Sequence, residues 1–301
     1  MKNVIAIIWD FDKTLVDGYM QDPIFEKYQV DGTEFWKDVN ALPGKLKEQG
    51  IKVNPDTIYL NQFIRDSKSG GRFAGLNNEE LRTFGPLQKF YAGIPEIFEY
   101  TKHLLDHDPL CKEYNIEVEH YIVSTGFAEV IRGSVLMDYV TSIWGCELIE
   151  DIDDNGHKYI SEIGYTIDNT TKTRAIFEIS KGVNIDSSIS VNTKMKYDQR
   201  RVDFRNMVYI ADGPSDVPAF SVIKQYGGST FAIYPKGNEK AFKQVNQLVK
   251  DGRVDMFAEA DYTEGSTTYM WICNKIKEIA ERIKATELSK RATGSVPTHL
   301  V

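Results

Sequence analysis

The stretch VIAIIWDFDKT, residues 4–14, decides the fold of this 301-residue chain. Val4–Trp9 is a short apolar run rich in β-branched residues, which predicts a strand buried on both faces. The run ends in Asp10 and Asp12, so two carboxylates follow the strand where the chain leaves the sheet. It is shorter than a signal-peptide core and lacks a small-residue cleavage site, so we expect a strand rather than a leader.

Four more segments have strand character, and helical patterns separate them. The predicted strands are Glu119–Ser124, a weaker one near Ser142–Ile149, Met207–Ala211 and Thr230–Tyr234. The predicted helices between and after them are Ile94–Leu105, Ala128–Asp138, Thr173–Ser180 and Tyr269–Ile283. This alternation predicts an α/β fold, with helices on both faces of a mostly parallel sheet. In such sheets, ligands bind beyond the carboxyl ends of the strands.

Two insertions interrupt the alternation. Residues 17–92 are too many for one crossover and carry several helical patterns, which predicts a helical cap over the sheet edge. Residues 147–167 hold the turn signal Asp153-Asp154-Asn155-Gly156, which predicts a small β-hairpin flap. The catalytic core would then be residues 1–16 and 93–283, with a polar, solvated loop at 183–205. We expect the polar tail, 284–301, to fray.

Composition narrows the classes of function. Lys and Arg total 36 and Asp and Glu total 44, giving a net charge of −8, which argues against nucleic acid or an anionic membrane as a partner. No apolar run approaches the ~20 residues of a membrane span. The three cysteines, Cys111, Cys146 and Cys273, are too widely spaced for a disulfide framework or a zinc site, which predicts a cytoplasmic protein.

Three further polar motifs stand at predicted strand ends or helix starts. Ser124-Thr125-Gly126 offers a hydroxyl and backbone N–H groups to a phosphate oxygen. Lys172 precedes a predicted helix and offers a cation. Asp212 and Asp216 flank the turn after the fourth strand, and carboxylates of this kind suit Mg²⁺.

Each motif alone has an ordinary structural explanation. Asp10 and Asp12 could be acidic residues of a helix start, and Ser124 a capping residue of a strand-to-helix turn. Lys172 could be a solvated lysine, with Lys181, Lys194 and Lys196 as competitors for its role. The two later aspartates could simply form a turn. The functional interpretation depends on all four motifs occurring in one chain order.

Together the four motifs resemble those of the haloacid dehalogenase superfamily, and the layout resembles its phosphoserine-phosphatase-like branch. The resemblance implies a Rossmann-like core, Mg²⁺ and an aspartyl-phosphate intermediate. It implies that Asp10 is the nucleophile, that Asp12 is the general acid and base, and that Ser124-Thr125-Gly126 and Lys172 hold the phosphoryl group. It also implies that Asp212 binds Mg²⁺ together with Asp10 and the carbonyl of Asp12, with Asp216 supporting the metal.

The acidic cluster itself calls for cations. Asp10, Asp212 and Asp216 near a phosphate would repel it by ~4 kcal/mol for each unit pair at 4 Å and an effective dielectric of 20. Mg²⁺ and Lys172 would together supply three positive charges. An aspartate two residues after the nucleophile can protonate an alkoxide and then deprotonate water, which favours a phosphatase or a mutase over a dehalogenase.

The leading hypothesis is therefore a Mg²⁺-dependent phosphatase of a small phosphomonoester. The alternatives are a phosphomutase or phosphotransferase, a signalling receiver, and a non-catalytic phosphate acceptor or binding protein. The run Asp12-Lys13-Thr14 also matches P-type ATPases, in which register Asp12 would be the nucleophile, but no membrane span accompanies it. The sequence makes no prediction of oligomeric state.

Specificity is expected to lie in the cap. Candidate substrate contacts are Tyr19, Gln21, Tyr28, Arg65 and Arg72. The resemblance would place an acidic partner for a substrate ammonium at position 19, where this chain has an uncharged tyrosine. We therefore expect that phosphoserine is not the best substrate, unless Asp17, Asp22 or Glu26 takes that role.

Overall fold

A computed structural model describes residues 3–294 and contains one seven-stranded sheet. The strands are β1 Asn3–Trp9, β2 Ile116–Phe127, β3 Ser142–Ile152, β4 Lys158–Tyr165, β5 Met207–Ala211, β6 Ser229–Tyr234 and β7 Met256–Glu259. Their spatial order is β4-β3-β2-β1-β5-β6-β7, and every neighbouring pair is parallel except β3 with β4. The predicted α/β class with a mostly parallel sheet is confirmed.

The first strand is buried on both faces, as its unbroken apolar run predicts. Ile5, Ile7 and Trp9 belong to one hydrophobic cluster. Val4, Ala6 and Ile8 belong to the other, because successive side chains of a strand point to opposite sides. The second cluster is covered by the helices at Thr171–Lys181, Val217–Gln225 and Glu239–Lys250. The first is covered by the helices at Glu96–His103 and Thr267–Gly294 and by the inserted helices.

The register of the sheet brings three loops together. Trp9 pairs with Ile122 on one side and with Ile210 on the other. The residues that follow these positions therefore lie side by side, toward the carboxyl ends of three adjacent parallel strands. This is the edge where α/β sheets bind ligands.

The insertion at 17–92 is helical, as its patterns predict. Its helices are α1 Asp22–Tyr28, α2 Gly32–Glu48, α3 Ile58–Ser67 and α4 Asn78–Thr83, followed by a 3₁₀ turn at Gly85–Leu87. Phe25, Phe35, Phe63 and Phe73 pack into an aromatic cluster, and the ring of Phe63 lies 5.0 Å from that of Phe127 in β2. The boundary between cap and core remains a prediction.

The predicted hairpin is present and extends the sheet. β3 begins beside β2, with Tyr121 opposite Ser142, and then pairs antiparallel with β4. In its turn, Asp153 Oδ1 accepts hydrogen bonds from the backbone N–H groups of Asn155 and His157, both at 2.9 Å. The hairpin also contacts the insertion, since Ser67 Oγ donates to the Ile160 carbonyl at 2.7 Å.

The remaining helices are α5 Glu96–His103, α6 Pro109–Glu113, α7 Ala128–Gly133, α8 Thr171–Lys181, α9 Val217–Gln225, α10 Glu239–Lys250 and α11 Thr267–Gly294.

The final helix, α11, is longer than the sequence predicts. Fraying from Lys284 onward is therefore wrong as far as Gly294, and 295–301 lie outside the described residues. Lys284 Nζ donates to Asp108 Oδ2 and Glu281 Oε1, each at 2.6 Å, and Arg291 pairs with Glu113. These ion pairs hold a polar segment that composition alone suggested was loose.

None of the helices within residues 3–294 combines the length and the apolar character that crossing a membrane requires.

The short strand β7 could not be predicted from the sequence, because its four residues, MFAE, include an exposed methionine and a glutamate.

Candidate active site

Asp10 lies at the carboxyl end of β1 and is almost completely buried. Its backbone N–H continues the sheet by donating to the Ile210 carbonyl at 3.0 Å. Its side chain accepts hydrogen bonds from Lys172 Nζ at 2.7 Å and from Thr14 Oγ1 at 3.2 Å. Burial raises the pKa of Asp10 to about 6, although the charge of Lys172 acts to lower it.

Lys172 lies in the first turn of α8 and joins two acidic motifs. Its Nζ also donates to Asp216 Oδ1 at 2.6 Å, and its side chain is only 1% exposed. Burial acts to lower the pKa of Lys172, but Asp10 and Asp216 outweigh it and hold the pKa above its ordinary range. Its competitor Lys181 is occupied elsewhere, donating to the Thr193 carbonyl at 2.7 Å.

Asp212 and Asp216 lie on the loop after β5, and a 3₁₀ turn at Pro214–Asp216 folds the second back under the first. Asp216 is fully buried and accepts further hydrogen bonds from Tyr209 OH at 2.7 Å and Ser215 Oγ at 2.8 Å. Burial and the neighbouring charge of Asp10 raise the pKa of Asp212 to about 8.

A divalent cation fits this arrangement. Asp10, Asp212 and Asp216 each offer a carboxylate oxygen, and the three ligand atoms lie within 4.8 Å of one another. Burial, together with the charges of neighbouring carboxylates, raises the pKa values of Asp10 and Asp212, and a bound cation would favour their charged forms. An oxygen-only donor set suits Mg²⁺, which takes few carboxylates and keeps several waters. The predicted contribution of the Asp12 carbonyl stays a prediction.

Asp12 lies beside this cluster. Its Oδ1 accepts a hydrogen bond from the Met20 backbone N–H at 2.8 Å. Burial and the charge of Asp10 raise its pKa to about 7. A carboxyl group with such a pKa can exchange a proton near neutral pH, as a general acid and base must.

Ser124-Thr125-Gly126 belongs to an irregular end of β2, where the pairing with β3 shifts between Val123 and Phe127. Ser124 is buried, and its Oγ accepts a hydrogen bond from the Gly126 N–H at 3.0 Å. The Thr125 carbonyl accepts from Tyr59 OH of α3 at 2.6 Å, so the insertion is bonded directly to this motif.

Met20 connects the first two motifs, and the sequence analysis did not single it out. Its backbone holds Asp12, and its Sδ accepts a hydrogen bond from the Phe127 N–H at 3.0 Å. A Cβ on Gly126 would lie 2.3 Å from Met20 Cε, so the thioether lies directly against the motif. Neither Met20 nor Tyr59 has a local sequence signal for this role, because both contacts join distant segments.

The candidate substrate residues of the insertion are dispersed. Tyr19 is 42% exposed, and Lys13 Nζ lies 4.0 Å from its ring centre. Arg72 pairs with Asp66 at 2.7 Å and with Asp38 at 3.4 Å. Arg72 thus stabilises the insertion itself, because Asp66 and Asp38 already engage its guanidinium.

Within residues 3–294, no hydrogen bond joins the other candidates, Arg65, Tyr28 and Gln21, to the acidic cluster. Arg65 is exposed on α3, and Tyr28 OH donates to Glu80 at 2.6 Å. Gln21 is buried, with its Oε1 lacking a hydrogen-bond partner. Within residues 3–294, no hydrogen bond or ion pair joins Arg65 or Arg72 to the four site aspartates. Their contact with a substrate therefore stays a prediction.

A cavity of about 410 Å³ opens beside Asp212. The residues around it are Lys13, Asp17, Gly18, Tyr91, Asp212, Pro235, Asn238, Lys240, Ala241 and Gln244. Its volume is in the usual range for small-molecule sites. The cavity therefore connects the loop that carries Asp212 with solvent.

Fold and site together define an α/β protein in which the four polar motifs noted in the sequence lie at the carboxyl ends of adjacent parallel strands. No family model matches the chain. An uncharacterized protein of Borreliella burgdorferi is 36% identical to it in an alignment of 289 residues, and the alignment covers 91% of this chain and 97% of that protein. The chain belongs to one family with this protein.

Among solved structures, the chain is similar to several proteins named as phosphatases or hydrolases. A phospho-aspartyl intermediate analogue of phosphoserine phosphatase is 17% identical, with a TM-score of 0.49 and coverage of 85% of this chain and 94% of that one. A haloacid dehalogenase family hydrolase of Salmonella enterica serovar Typhi is 14% identical, with a TM-score of 0.48 and coverage of 85% and 67%.

Proposed function

We propose that this protein is a Mg²⁺-dependent phosphatase that hydrolyses a small phosphomonoester through phosphorylated Asp10. The observation that carries the proposal is the position of Lys172, which bonds to both Asp10 and Asp216 while Asp212 completes a set of three carboxylates. If Lys172 served only to stabilise the fold, one carboxylate would be enough to balance its charge. The additional buried carboxylates cost desolvation energy that a bound cation would offset.

In the first proposed step, a carboxylate oxygen of Asp10 attacks phosphorus and the bond from phosphorus to the leaving oxygen breaks. Asp12, with its pKa raised to about 7, donates a proton to that oxygen, which departs as an alcohol. Asp12 then takes a proton from water, and the resulting hydroxide attacks the phosphorus of the acyl phosphate. Inorganic phosphate leaves, and the carboxylate of Asp10 is restored.

Lys172 and Ser124 would hold the phosphoryl oxygens during both steps. Lys172 already bonds to the nucleophile, and Ser124 Oγ uses only an acceptor position on Gly126, which leaves its hydroxyl proton available for donation. Bound Mg²⁺ would neutralise charge on the phosphoryl oxygens. Phosphoryl transfer needs little beyond such positioning and neutralisation.

Access to Ser124 requires movement of the insertion. Ser124 is 1% exposed and Met20 is fully buried against Gly126. The described conformation is thus closed over the phosphoryl subsite, while the cavity at Asp212 stays open. We infer that Met20 and the Tyr59 contact move away when the substrate binds.

The leaving group is expected to be an alcohol other than serine. Tyr19 is neutral, and Asp22 is engaged by the backbone N–H of Tyr19 at 3.0 Å. Of the nearby carboxylates, Asp17 lines the open cavity and is the one best placed to meet a substrate cation. Buried ammonium groups need such a partner to offset desolvation.

A phosphomutase or phosphotransferase is the second candidate. Asp10 is 5% exposed, so the closed state would shield a phosphorylated Asp10 from water. Such shielding favours transfer to a bound acceptor. The lifetime of the phosphorylated protein distinguishes the two, since a phosphatase releases phosphate within its turnover time.

The experiment is a phosphate-release screen across metabolite phosphates, with Mg²⁺ and with excess chelator, using Asp10→Asn as the control. We expect Mg²⁺-dependent release from at least one alkyl phosphate other than phosphoserine and none from Asp10→Asn. Full activity in chelator, or in the folded Asp10→Asn variant, would contradict the proposal. The highest kcat/KM on phosphoserine would contradict the specificity argument and point to Asp17, Asp22 or Glu26.

A further inference from the structure

A second cavity lies at the amino end of β1, whereas Asp10 follows its carboxyl end. Its volume is about 400 Å³, and Asn3 at the start of β1 forms part of its wall. The other walls come from the segment just before β5 and from the second half of α11. The seven residues of β1 separate the cavity from Asp10, a distance of about 20 Å at ~3.3 Å for each residue.

The lining of this cavity is rich in arginine. Its basic residues are Arg200, Arg201, Arg205, Arg282 and Lys290. The carboxylates that line it are Asp198, Asp203 and Glu287, so the cations exceed the anions by two. The whole chain has a net charge of −8, so the lining of this cavity is positively charged while the molecule as a whole is negatively charged.

Two of these arginines, Arg200 and Arg282, have no ion pair within residues 3–294. The other two are paired, Arg205 with Asp203 and Arg201 with Glu119. Arg200 instead lies over the rings of Tyr197 and Phe204, at 5.4 and 5.6 Å.

Arg282 donates to the backbone carbonyl of Arg205 and to Asn206 Oδ1, the latter at 3.2 Å. Both acceptors are uncharged, so the positive charges of Arg200 and Arg282 are not balanced by a bonded carboxylate.

The cavity is electrostatically unfavourable as it stands. Burial and the nearby charge of Arg205 lower the pKa of Arg282 below its ordinary range. The Nε–H groups of Arg200 and Arg201 are enclosed and lack a hydrogen-bond partner. Enclosed donors without an acceptor destabilise a fold unless a ligand supplies one.

We propose that this cavity, between residues 197–206 and α11, is a second binding site, for a small ligand that carries a phosphate or diphosphate group. A guanidinium presents paired N–H donors that match phosphate oxygens, and it stays charged at every physiological pH. Arg200 and Arg282 supply the charges that the protein leaves unbalanced. The site is independent of the proposed phosphatase chemistry, because none of its lining residues belongs to the four motifs.

The segment that forms the site was expected to be a solvated loop. Val202 and Phe204 are fully buried, and they fix the backbone on both sides of Asp203. The basic residues between and beside them are therefore held in place rather than free in solvent. A positioned arginine loses less conformational entropy when it binds an anion than a mobile one.

The test is calorimetric titration of the full-length, metal-free protein with pyrophosphate. The double variant Arg200→Gln/Arg282→Gln removes the two unbalanced charges, and Arg253→Gln removes an exposed arginine that contacts Ser221 outside this cavity. Ser124→Ala serves as the reference for binding at the catalytic edge. We expect saturable binding that weakens at least tenfold in the double variant and is unchanged in Arg253→Gln and Ser124→Ala.

Three outcomes would overturn the proposal: absence of saturable binding to the wild type, equal affinity in the double variant, and loss of binding only in Ser124→Ala. If the double variant does not fold, the proposal is tested by amide hydrogen exchange of the wild-type protein with and without pyrophosphate. Pyrophosphate should then slow exchange in residues 197–206 and 282–290, and unchanged exchange there would overturn the proposal. A parallel titration with glucose 6-phosphate distinguishes the source of the phosphate group, since tighter binding of the sugar phosphate indicates an ester and the reverse a free anion.

Discussion

At the scale of single residues, Lys172 determines the electrostatics of the site. It is buried between Asp10 and Asp216 with hydrogen bonds of 2.7 and 2.6 Å. Removing the charge of one partner from a buried ion pair leaves the others uncompensated, which typically costs ~3–5 kcal/mol. Bound Mg²⁺ would occupy the same region and balance the same carboxylates.

Lys172→Met should therefore destabilise the metal-free protein by about 3 kcal/mol at neutral pH, in line with the loss of a buried charge. The loss should shrink when Mg²⁺ is added. Urea unfolding measures it, with the exposed Lys194→Met as the matched control, which should change stability by less than about 0.5 kcal/mol. A loss below ~1 kcal/mol for Lys172→Met would show that the ion pairs matter little.

His120 is a second buried ionisable residue, and it lies apart from the carboxylates. Trp9 Nε1 donates to its Nδ1 at 3.1 Å, so the proton of the neutral ring is on Nε2, which lies 3.0 Å from Thr101 Oγ1. Burial, aided by the charge of Lys102, lowers the pKa of His120 to about 3. Below pH ~6.5 the unfolded chain binds a proton that the folded protein does not, so stability falls as the pH falls.

We predict that this single residue costs about 1.4 kcal/mol of stability for each pH unit below ~6.5. His120→Gln keeps an acceptor for Trp9 and a donor for Thr101 but cannot be protonated. Its unfolding free energy should therefore decline less steeply between pH 6.5 and 4.5 than that of the wild type. Parallel pH profiles would show that His120 is already protonated in the folded protein.

At the scale of secondary-structure elements, the sheet positions the four motifs and close backbone contacts hold the insertion against them. The positions of the site aspartates could be predicted from sequence because Asp10 and Asp212 directly follow apolar strands, and Asp12 and Asp216 come a few residues later in the same two loops. The roles of Met20 and Tyr59 could not, since they depend on contacts with Phe127 and Thr125, which lie far away in the chain. The hairpin was predicted from its turn residues, whereas the length of α11 depends on ion pairs with α6 and the loop before it.

Gly133 is a close contact between the insertion and the core. A Cβ at this position would lie 1.8 Å from the Arg82 carbonyl oxygen, so α7 ends against the backbone of α4. Backbone cannot yield as a flexible side chain can. Gly133→Ala should therefore lower the unfolding free energy by more than about 2 kcal/mol and loosen the insertion.

The matched control is Gly44→Ala in α2, where a Cβ would meet nothing within 4 Å. Alanine is the better helix former, so this change should raise stability by up to ~1 kcal/mol. Urea unfolding of both variants tests the contrast. Equal effects of the two substitutions would mean that α4 and α7 do not pack as described.

At the scale of the whole molecule, the unbroken apolar run of β1 contributes side chains to two hydrophobic layers, and the sheet brings the acidic loops to the carboxyl ends of its strands. The class of fold could be predicted from the alternation of strands with helices along the chain. The closed position of the insertion and the arginine-lined cavity could not, because neither leaves a periodic or local sequence pattern. Both depend on which surfaces meet after the sheet has formed.

Mg²⁺ should stabilise the whole protein, because a ligand that binds only the folded state adds about 1.4 kcal/mol at roughly tenfold its Kd. The melting temperature should rise with Mg²⁺ in the wild type and remain unchanged in Asp212→Asn. Ca²⁺ should restore little phosphatase activity, since it prefers more oxygen ligands at longer distances. An equal rise in the two proteins would place the cation elsewhere.

The most direct test of the central claim is mass spectrometry of the protein quenched in acid during turnover of a substrate from the screen. We predict one added phosphoryl group on the peptide that contains Asp10, located on Asp10 itself and absent from the Asp10→Asn variant. Phosphoryl transfer to Asp12 would instead support the alternative register of the motif. Steady phosphate release with an unmodified Asp10 at every quench time would contradict nucleophilic catalysis by this residue.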